Sequence, residues 1–480
     1  MTQPVQTPEW VKDAVFYQIF PDRFARSDRI EKPTNLESWD IPPTSHGFKG
    51  GDLLGVAERL DYLQDLGITA IYLNPIFQSA SNHRYHTHDY YRVDPLLGGN
   101  AALRALLDAA HARGMRVVLD GVFNHASRGF FQFNHILECG AQSPYLDWFT
   151  VKGFPLRAYD EDQPPNYEAW IGLHALPKLN TDNPQVRAFI FDVAEHWIAF
   201  GADGWRLDVP AEIDDDAFWQ EFRQRVKGVN PDAYIVGEIW VEAQRWLRGD
   251  EFDAVMNYIQ THAALRFFAA RTLAPMWMGG TYPPPRPLKA PGFARAIEHM
   301  LALYDWSITT AQLNLLSSHD MPRFVTLAGG DQSALRLAML FQMTMPGAPT
   351  VYYGDEIGLS GGYDPECRGP MPWDEALWDG ALRDYVRATI RLRHAHPALR
   401  RGTYRTLLAK GDLFAFARDY QGERLVVAFN TAQGESTLRL PLNPAPHRAE
   451  FAFGEGRAVV EGGAVAVTLP GRSGAVLRLP

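Results

Sequence analysis

Eight short apolar runs recur along this 480-residue chain with amphipathic helical stretches between them. That alternation constrains the fold more than any other feature. The runs are AVFYQIF (14–20), ITAIYLNPI (68–76), MRVVLDGVF (115–123), ADGWRLDV (202–209), YIVGEIW (234–240), DAVMNY (253–258), AQLNLLSS (311–318) and PTVYYGDE (349–356). In DLLGVAERLDYLQDLG, Leu53, Val56, Leu60 and Leu63 recur at helical spacing and Gly67 ends the pattern. ALRALLDAAHARG (102–114) repeats the design, and so does residues 183–201, with Pro184 suited to a first helical turn and Gly201 past the end. Repeated strand–helix units imply a parallel sheet, and eight of them imply a closed (β/α)8 barrel.

Two segments interrupt the alternation. Residues 126–182 are too long and too aromatic for a plain connection, which predicts a small inserted domain after the third strand. In APMWMGGTYPPPRPLKAPG (274–292), proline and glycine argue against a helix or a central strand. A surface loop or lid is expected there, with Trp277, Met278 and Tyr282 as candidate ligand contacts. Beyond His396 and Pro397 the pattern becomes LFAFARD, RLVVAFN, STLRLPL, GAVAVTL and AVLRLP, short alternating strands of an antiparallel β-sandwich. The expected division is 1–125 with 183–396 as the barrel, 126–182 as the insertion and 397–480 as the sandwich.

Composition narrows the function classes. At 46% hydrophobic and 21% charged the chain can bury a large core, which excludes a disordered chain. A net charge of −10 without a Lys/Arg cluster argues against a nucleic-acid surface. Cys139 and Cys367 are too few for a disulfide framework, and the N-terminal residues lack a basic segment followed by an apolar run. A soluble cytoplasmic protein is expected, without membrane or nucleic-acid partners. Most of the 13 Trp and 19 Tyr are expected in the core, although aromatic faces also pack well against sugars.

The chemistry concentrates at strand ends, where a (β/α) barrel presents its active site. GWRLDV delivers Asp208, VGEIW delivers Glu238 and LSSHD delivers Asp320, while VVLDGVFNH ends on Asn124 and His125. Arg206 lies two residues before Asp208, so strand periodicity points both to one face. Its charge is expected to keep Asp208 ionised. Asp120 is expected to fix Arg206 through a charge-assisted pair.

In this order VFYQIFPDRF, RYHTHDY, DGVFNH, LPKLN, GWRLDV, GEIW and SSHD resemble the α-amylase family, glycoside hydrolase family 13, over nearly the whole chain. LPKLN, GWRLDVPAEI and GGYDPECRGPM are most similar to its neopullulanase, cyclomaltodextrinase and maltogenic amylase branch. The resemblance implies a barrel, an inserted domain and a C-terminal sandwich. It also implies a retaining α-glucan hydrolase that cuts α-1,4 bonds of malto-oligosaccharides, cyclodextrins or pullulan, with transfer to sugar acceptors as a companion reaction. By position, Asp208 matches the nucleophile, Glu238 the acid/base and Asp320 the third carboxylate. His125 and His319 match sugar-binding histidines, and Tyr85 the aromatic beneath the cleaved residue. Arg206, Arg323, Asp364 and Arg368 complete the expected substrate-binding set. A glucanotransferase or isomerase is the alternative on this scaffold, followed by a non-catalytic sugar-binding relative.

Departures from the family pattern bear on specificity. His86 stands where an acidic residue is usual, Val241 and Glu242 follow GEIW where a histidine and an acid are usual, and Pro210 and Ala211 replace a small residue and Asn. Trp240 is read equally as packing or as a subsite wall. No cofactor is expected for the chemistry. The branch's calcium loop is reduced here to ARSDRIEK, with Asp28, Gly50 and Asp52 as the remaining candidate ligands beside Glu31, so calcium is not the favoured expectation. Relatives of this branch are expected to carry an N-terminal β-domain before the barrel. Its absence here suggests a monomer or a different dimer, in which loop 274–292 supplies part of the cleft wall.

Overall fold

The computed structural model describes residues 5–274, 286–444 and 446–479. Its eight barrel strands are β1 (Phe16–Ile19), β2 (Ala70–Leu73), β3 (Arg116–Gly121), β4 (Gly204–Leu207), β5 (Tyr234–Gly237), β6 (Ala254–Val255), β7 (Leu313–Leu315) and β8 (Ala348–Tyr352). Seven lie inside one of the eight apolar runs, and β8 begins one residue before its run. They pair in parallel in the order β6, β5, β4, β3, β2, β1, β8, β7, and a parallel bridge between Met256 and Leu313 closes the ring. These strands are buried on both faces, which is why they read as continuous apolar runs rather than alternating ones. Register across β3 and β4 sets Asp120 opposite Arg206, so two charged side chains meet inside an apolar barrel.

Helices follow the strands, with two differences from the sequence pattern. Residues 52–67 form two helices, Leu53–Glu58 and Leu60–Leu66, that step at Arg59. The apolar spacing runs straight through this step, so periodicity cannot register it. Asp52 caps the first helix by accepting from the Gly55 amide at 2.7 Å, and Gly67 ends the second at φ 97°. In addition, the proline-rich stretch is helical at its C-terminal end. The helix Ala290–Ala302 carries Pro291 in its first turn, where the missing N–H costs nothing. Trp277, Met278 and Tyr282 lie outside the described residues.

Between β3 and the helix Pro184–Ala199 the chain forms the helix Phe131–Cys139 and a set of short antiparallel bridges, Phe149 with Leu179 and Val151 with Tyr167. Phe133 packs at 4.9 Å from Tyr167 and 5.0 Å from Phe149, a small aromatic core of its own. A bridge from His125 to Lys178 joins this segment to the top of β3.

After the helix Gly380–Ala395 and a short helix Pro397–Arg401, the chain builds a five-stranded and a three-stranded antiparallel sheet. The five strand-like runs all appear. Three further strands, Thr403–Lys410, Glu450–Phe453 and Arg457–Glu461, are sheet edges whose half-exposed positions carry little hydrophobic signal. One face of the larger sheet sends Phe414, Phe416 and Phe429 toward Phe267, Phe268, Phe293 and Phe341 of the barrel helices. Its other face packs on Leu438, Leu440, Val465 and Val467.

Two fully buried arginines weld these parts at one helix end. The last carbonyls of the helix Gln332–Thr344 have no partners within the helix. Arg393 Nη1 donates to Met343 and Met345 at 3.0 Å each, and Arg418 Nη1 donates to Thr344 and, at 2.9 Å, to Leu399. Arg418 further donates to the Gly402 and Thr403 carbonyls at 2.9 Å each. Positive charge at a helix C-terminus opposes the macrodipole's negative end. Replacing Arg418 by Met should leave several buried carbonyls unsatisfied and destabilise the protein by roughly 3 kcal/mol, read as a lower urea midpoint.

Candidate active site

At the C-terminal mouth of the barrel, one buried guanidinium organises three carboxylates from three strands. Arg206 Nη1 donates to Asp120 Oδ1 at 3.0 Å and to Asp208 Oδ1 at 3.0 Å, and its Nη2 lies 2.9 Å from Glu238 Oε2. Asp120 is the penultimate residue of β3, Asp208 follows β4 and Glu238 follows β5, so barrel register brings them to one point. Asp320 stands five residues beyond β7, 3.1 Å from His319 Nε2 and 3.3 Å from Arg368 Nη2.

Charge arithmetic decides the protonation of this centre. Burial alone would weaken the proton hold of Arg206, but Asp120 and Glu238 outweigh it and keep the guanidinium charged. Burial pushes Asp120 up to about 6, with Arg206 and two tyrosine hydroxyls pulling the other way. Burial pushes Asp208 well above the carboxylate range, and Glu238, Asp120 and Asp320 add to that rise. Arg206 pulls Asp208 down as expected, but burial and the neighbouring acids act against it, because one guanidinium is divided among three acids. Glu238 is raised too, by burial first, against Arg206, the Val209 amide and Trp240. The negative charge of Glu238 is one of the causes that raise Asp208, so a proton on Glu238 favours the charged form of Asp208.

Hydrogen bonds tie the walls around this centre together. Tyr72 donates to Asp120 Oδ2 at 2.6 Å and Tyr85 to the same oxygen at 2.9 Å. Tyr85 also lies 2.6 Å from His319 Nε2, with the two rings parallel at 5.4 Å. Gln18 Nε2 donates to His319 Nδ1 at 3.0 Å, which assigns the proton of the neutral ring to Nε2, facing Asp320 and Tyr85. Burial holds His319 well below its ordinary value and takes His125 down to about 3. The His125 ring lies flat against Trp170 at 5.3 Å. Gln18, Tyr72 and Asn74 escaped sequence reasoning, yet each is a polar residue in or beside an apolar strand, which is itself a signal. Trp170 had none, since 45 residues separate it from His125.

Not every candidate faces the cleft. Arg368 does, and its Nη1 reaches Asp364 at 3.1 Å, so Asp364 joins the site through that pair. Arg323 does not. It is 0% exposed, donates to Asp355 at 2.9 Å and to the Tyr353 carbonyl at 2.8 Å, and stacks over Tyr352 at 4.4 Å. Its expected contact with neighbouring glucose units is replaced by a role in the core. Glu242 bonds His299 at 2.7 Å on the surface, and Val241 is exposed. His86 is half-buried and kept neutral, its value driven to about 4 by burial and then by Arg128. Pro210 opens the 3-10 turn Pro210–Glu212, which Lys178 clamps by donating to the Glu212 carbonyl at 2.7 Å.

The backbone after Asp208 is strained. Val209 sits at φ 37° and ψ 50°, a left-handed conformation that β-branched residues avoid. That twist aims its amide at Glu238 Oε2, 3.0 Å away. Strain of this kind persists where surrounding contacts over-determine it and clusters at functional sites.

The candidate metal residues do not fit a calcium ion. Asp28 is exposed. Asp52 is fully buried, with Oδ1 on the Gly55 amide and Oδ2 accepting from the Ser27 amide at 2.9 Å. Lys32 Nζ stands 2.9 Å from that same oxygen and donates to the Leu96 carbonyl at 2.9 Å. A cation beside Asp52 is therefore already provided, covalently. Among the described residues no group of three or more His, Cys, Asp or Glu converges to hold a metal.

Comparison with known proteins identifies the family. Residues 18–386 match the family described as alpha amylase, catalytic domain. Neopullulanase 2 of Thermoactinomyces vulgaris is 45% identical over 439 residues, covering 90% of this chain and 72% of its own. The cyclomaltodextrinase of Geobacillus thermopakistaniensis (strain MAS1) is 44% identical over 442 residues, 91% of this chain and 72% of its own. The crystal structure of the debranching enzyme from Nostoc punctiforme superposes with a TM-score of 0.92 at 49% identity, covering 99% of this chain and 100% of that one.

Buried neutral histidines make the fold sensitive to acid. His125 titrates at about 3 in the folded protein and about 6.5 when unfolded. Between those values the unfolded chain binds a proton that the native chain refuses, so stability is present above pH ~6.5 and falls as pH falls. The slope per such histidine is about 1.4 kcal/mol per pH unit. His125→Gln should make the pH dependence of unfolding free energy between pH 6 and 4 shallower by one proton.

Proposed function

This chain belongs to the α-amylase family of glycoside hydrolases, and from that membership we propose that it cleaves α-1,4-glucosidic bonds of malto-oligosaccharides, cyclodextrins or pullulan with retention of anomeric configuration. The observation that carries the proposal is the single guanidinium shared by Asp208 and Glu238. Two carboxyl groups reached from adjacent nitrogens of one arginine support the separation of about 5–5.5 Å used by retaining enzymes, rather than the wider gap that leaves room for a water.

The reaction then proceeds in two steps. Asp208, ionised, attacks the anomeric carbon while Glu238 gives its proton to the departing glycosidic oxygen, and a glycosyl ester forms on Asp208. Glu238, now a carboxylate, takes a proton from water as that water attacks the ester and restores Asp208. Arg206 serves both steps. Its charge compensates whichever member of the pair is ionised, so one proton moves without leaving two uncompensated charges in the buried pocket. Asp320, held by Arg368 and His319, accepts from sugar hydroxyls, and Tyr85, His125 and Trp170 line the side of the cleaved residue.

This reading is accompanied by a domain division into 1–125 with 183–396, 126–182 and 397–480, supported by the break in element pattern at each boundary. A reducing, cytoplasmic setting is supported by two free cysteines, Cys139 exposed and Cys367 buried. No helix among the described residues is long and apolar enough to cross a membrane.

Parallel product analysis with β-cyclodextrin, pullulan, starch and maltotriose tests the substrate class. Products shorter than the substrate are expected, and maltotriose products longer than three units as the main outcome would assign the chain to transfer instead. First-formed product should carry the α-anomer by proton NMR, and a β-anomer would refute retention. Asp208→Asn should lower kcat by about 10⁴-fold while leaving the thermal unfolding midpoint near its original value.

A further inference from the structure

The two oxygens of Glu238 are held by different donors. Oε2 accepts from the Val209 amide at 3.0 Å and faces Arg206 Nη2 at 2.9 Å, so donors crowd it and a proton there would collide with them. Oε1 accepts from the indole Nε1 of Trp240 at 3.0 Å. A carboxyl oxygen that accepts one N–H keeps a second lone pair, so Oε1 can carry the proton, pointed away from the indole.

The indole is itself held. Trp240 lies on the Tyr258 ring with centroids 3.8 Å apart and planes within 6°. Tyr258 donates to Ser318 Oγ at 3.3 Å, and the same Oγ accepts the Asp320 amide at 3.3 Å. A continuous path of contacts thus runs from Glu238 through Trp240, Tyr258 and Ser318 to the backbone of Asp320.

We propose that Trp240 is a positioning residue whose indole N–H, clamped by Tyr258, fixes Oε1 as the oxygen of Glu238 that bears the transferred proton and fixes the direction in which that proton points. The inference rests on the hydrolase reading above and deepens it. Among the described residues the charged groups that face Glu238 are Arg206, Asp208 and Asp320, and none of them can replace this function, because Arg206 approaches Oε2 and the acids offer no donor when ionised. The indole N–H also stabilises the carboxylate over the acid, as any donor to a charged oxygen does.

Trp240→Phe separates these effects, since it keeps an aromatic face for packing and removes the donor. Two substrates are compared: maltotetraose, whose sugar leaving group requires an acid, and an aryl maltotrioside with a nitrophenolate leaving group, which does not. For maltotetraose, kcat should fall about tenfold, a fraction of the 10²–10⁴ that general acid catalysis supplies. For the aryl substrate the loss should stay below about threefold, and KM for both should change little. The alkaline limb of kcat/KM for maltotetraose should move to higher pH, because losing the donor strengthens the proton's hold on Glu238. Tyr258→Leu, which removes the clamp and leaves the donor, should reproduce the leaving-group-dependent loss. Equal losses on both substrates with an unmoved limb, a change confined to KM, or unchanged kinetics would overturn the proposal. A wild-type protein that cleaves neither substrate would overturn the hydrolase reading as well.

Discussion

The centre of this protein depends on the burial of Arg206. A guanidinium with no exposed surface must have its charge and its N–H groups compensated, and around Arg206 β3, β4 and β5 each contribute an acid. The cost of desolvating these charges is carried by the barrel around them, whose strands pair in an unbroken parallel ring. What results is an excess of acid over base in a confined volume, which raises the proton affinity of these carboxylates. A general acid and a nucleophile with different protonation states follow from such crowding rather than from different side-chain chemistry.

Local strain complements the electrostatics. Left-handed geometry costs a β-branched residue about 1–2 kcal/mol, and Val209 adopts it directly after Asp208. In exchange, its amide meets Glu238, so one peptide turn ties the two carboxylates mechanically as Arg206 ties them electrically. Trp240 grips the opposite oxygen of the same carboxyl group. Glu238 is thereby restrained from both ends, and its reactive lone pair has one direction left.

How much of this was legible in the sequence follows from the range of each interaction. Strands buried on both faces and helices with one apolar stripe leave periodic signals, so the barrel and the acids at its strand ends could be read directly. Edge strands such as Glu450–Phe453 bury too little for their pattern to show. The step at Arg59 leaves the apolar spacing intact and is invisible for that reason. Arg323 was misplaced because motif position does not report burial, and its partner Asp355 lies at the end of a different strand. The expected hold of Arg206 on Asp208 was correct as a pair interaction and incomplete as a sum, since Asp120 and Glu238 compete for the same cation.

The ammonium of Lys32 beside Asp52 has a consequence of a different kind. A dissolved ion must be drawn from the surroundings, and its occupancy follows their composition. A charge carried on the chain's own side chain is present at a fixed, high effective concentration. The loop that follows β1 and the cap of the helix Leu53–Glu58 are held by a counterion synthesised with the protein. The charge that balances Asp52 at that corner is thus part of the chain itself, inherited rather than acquired.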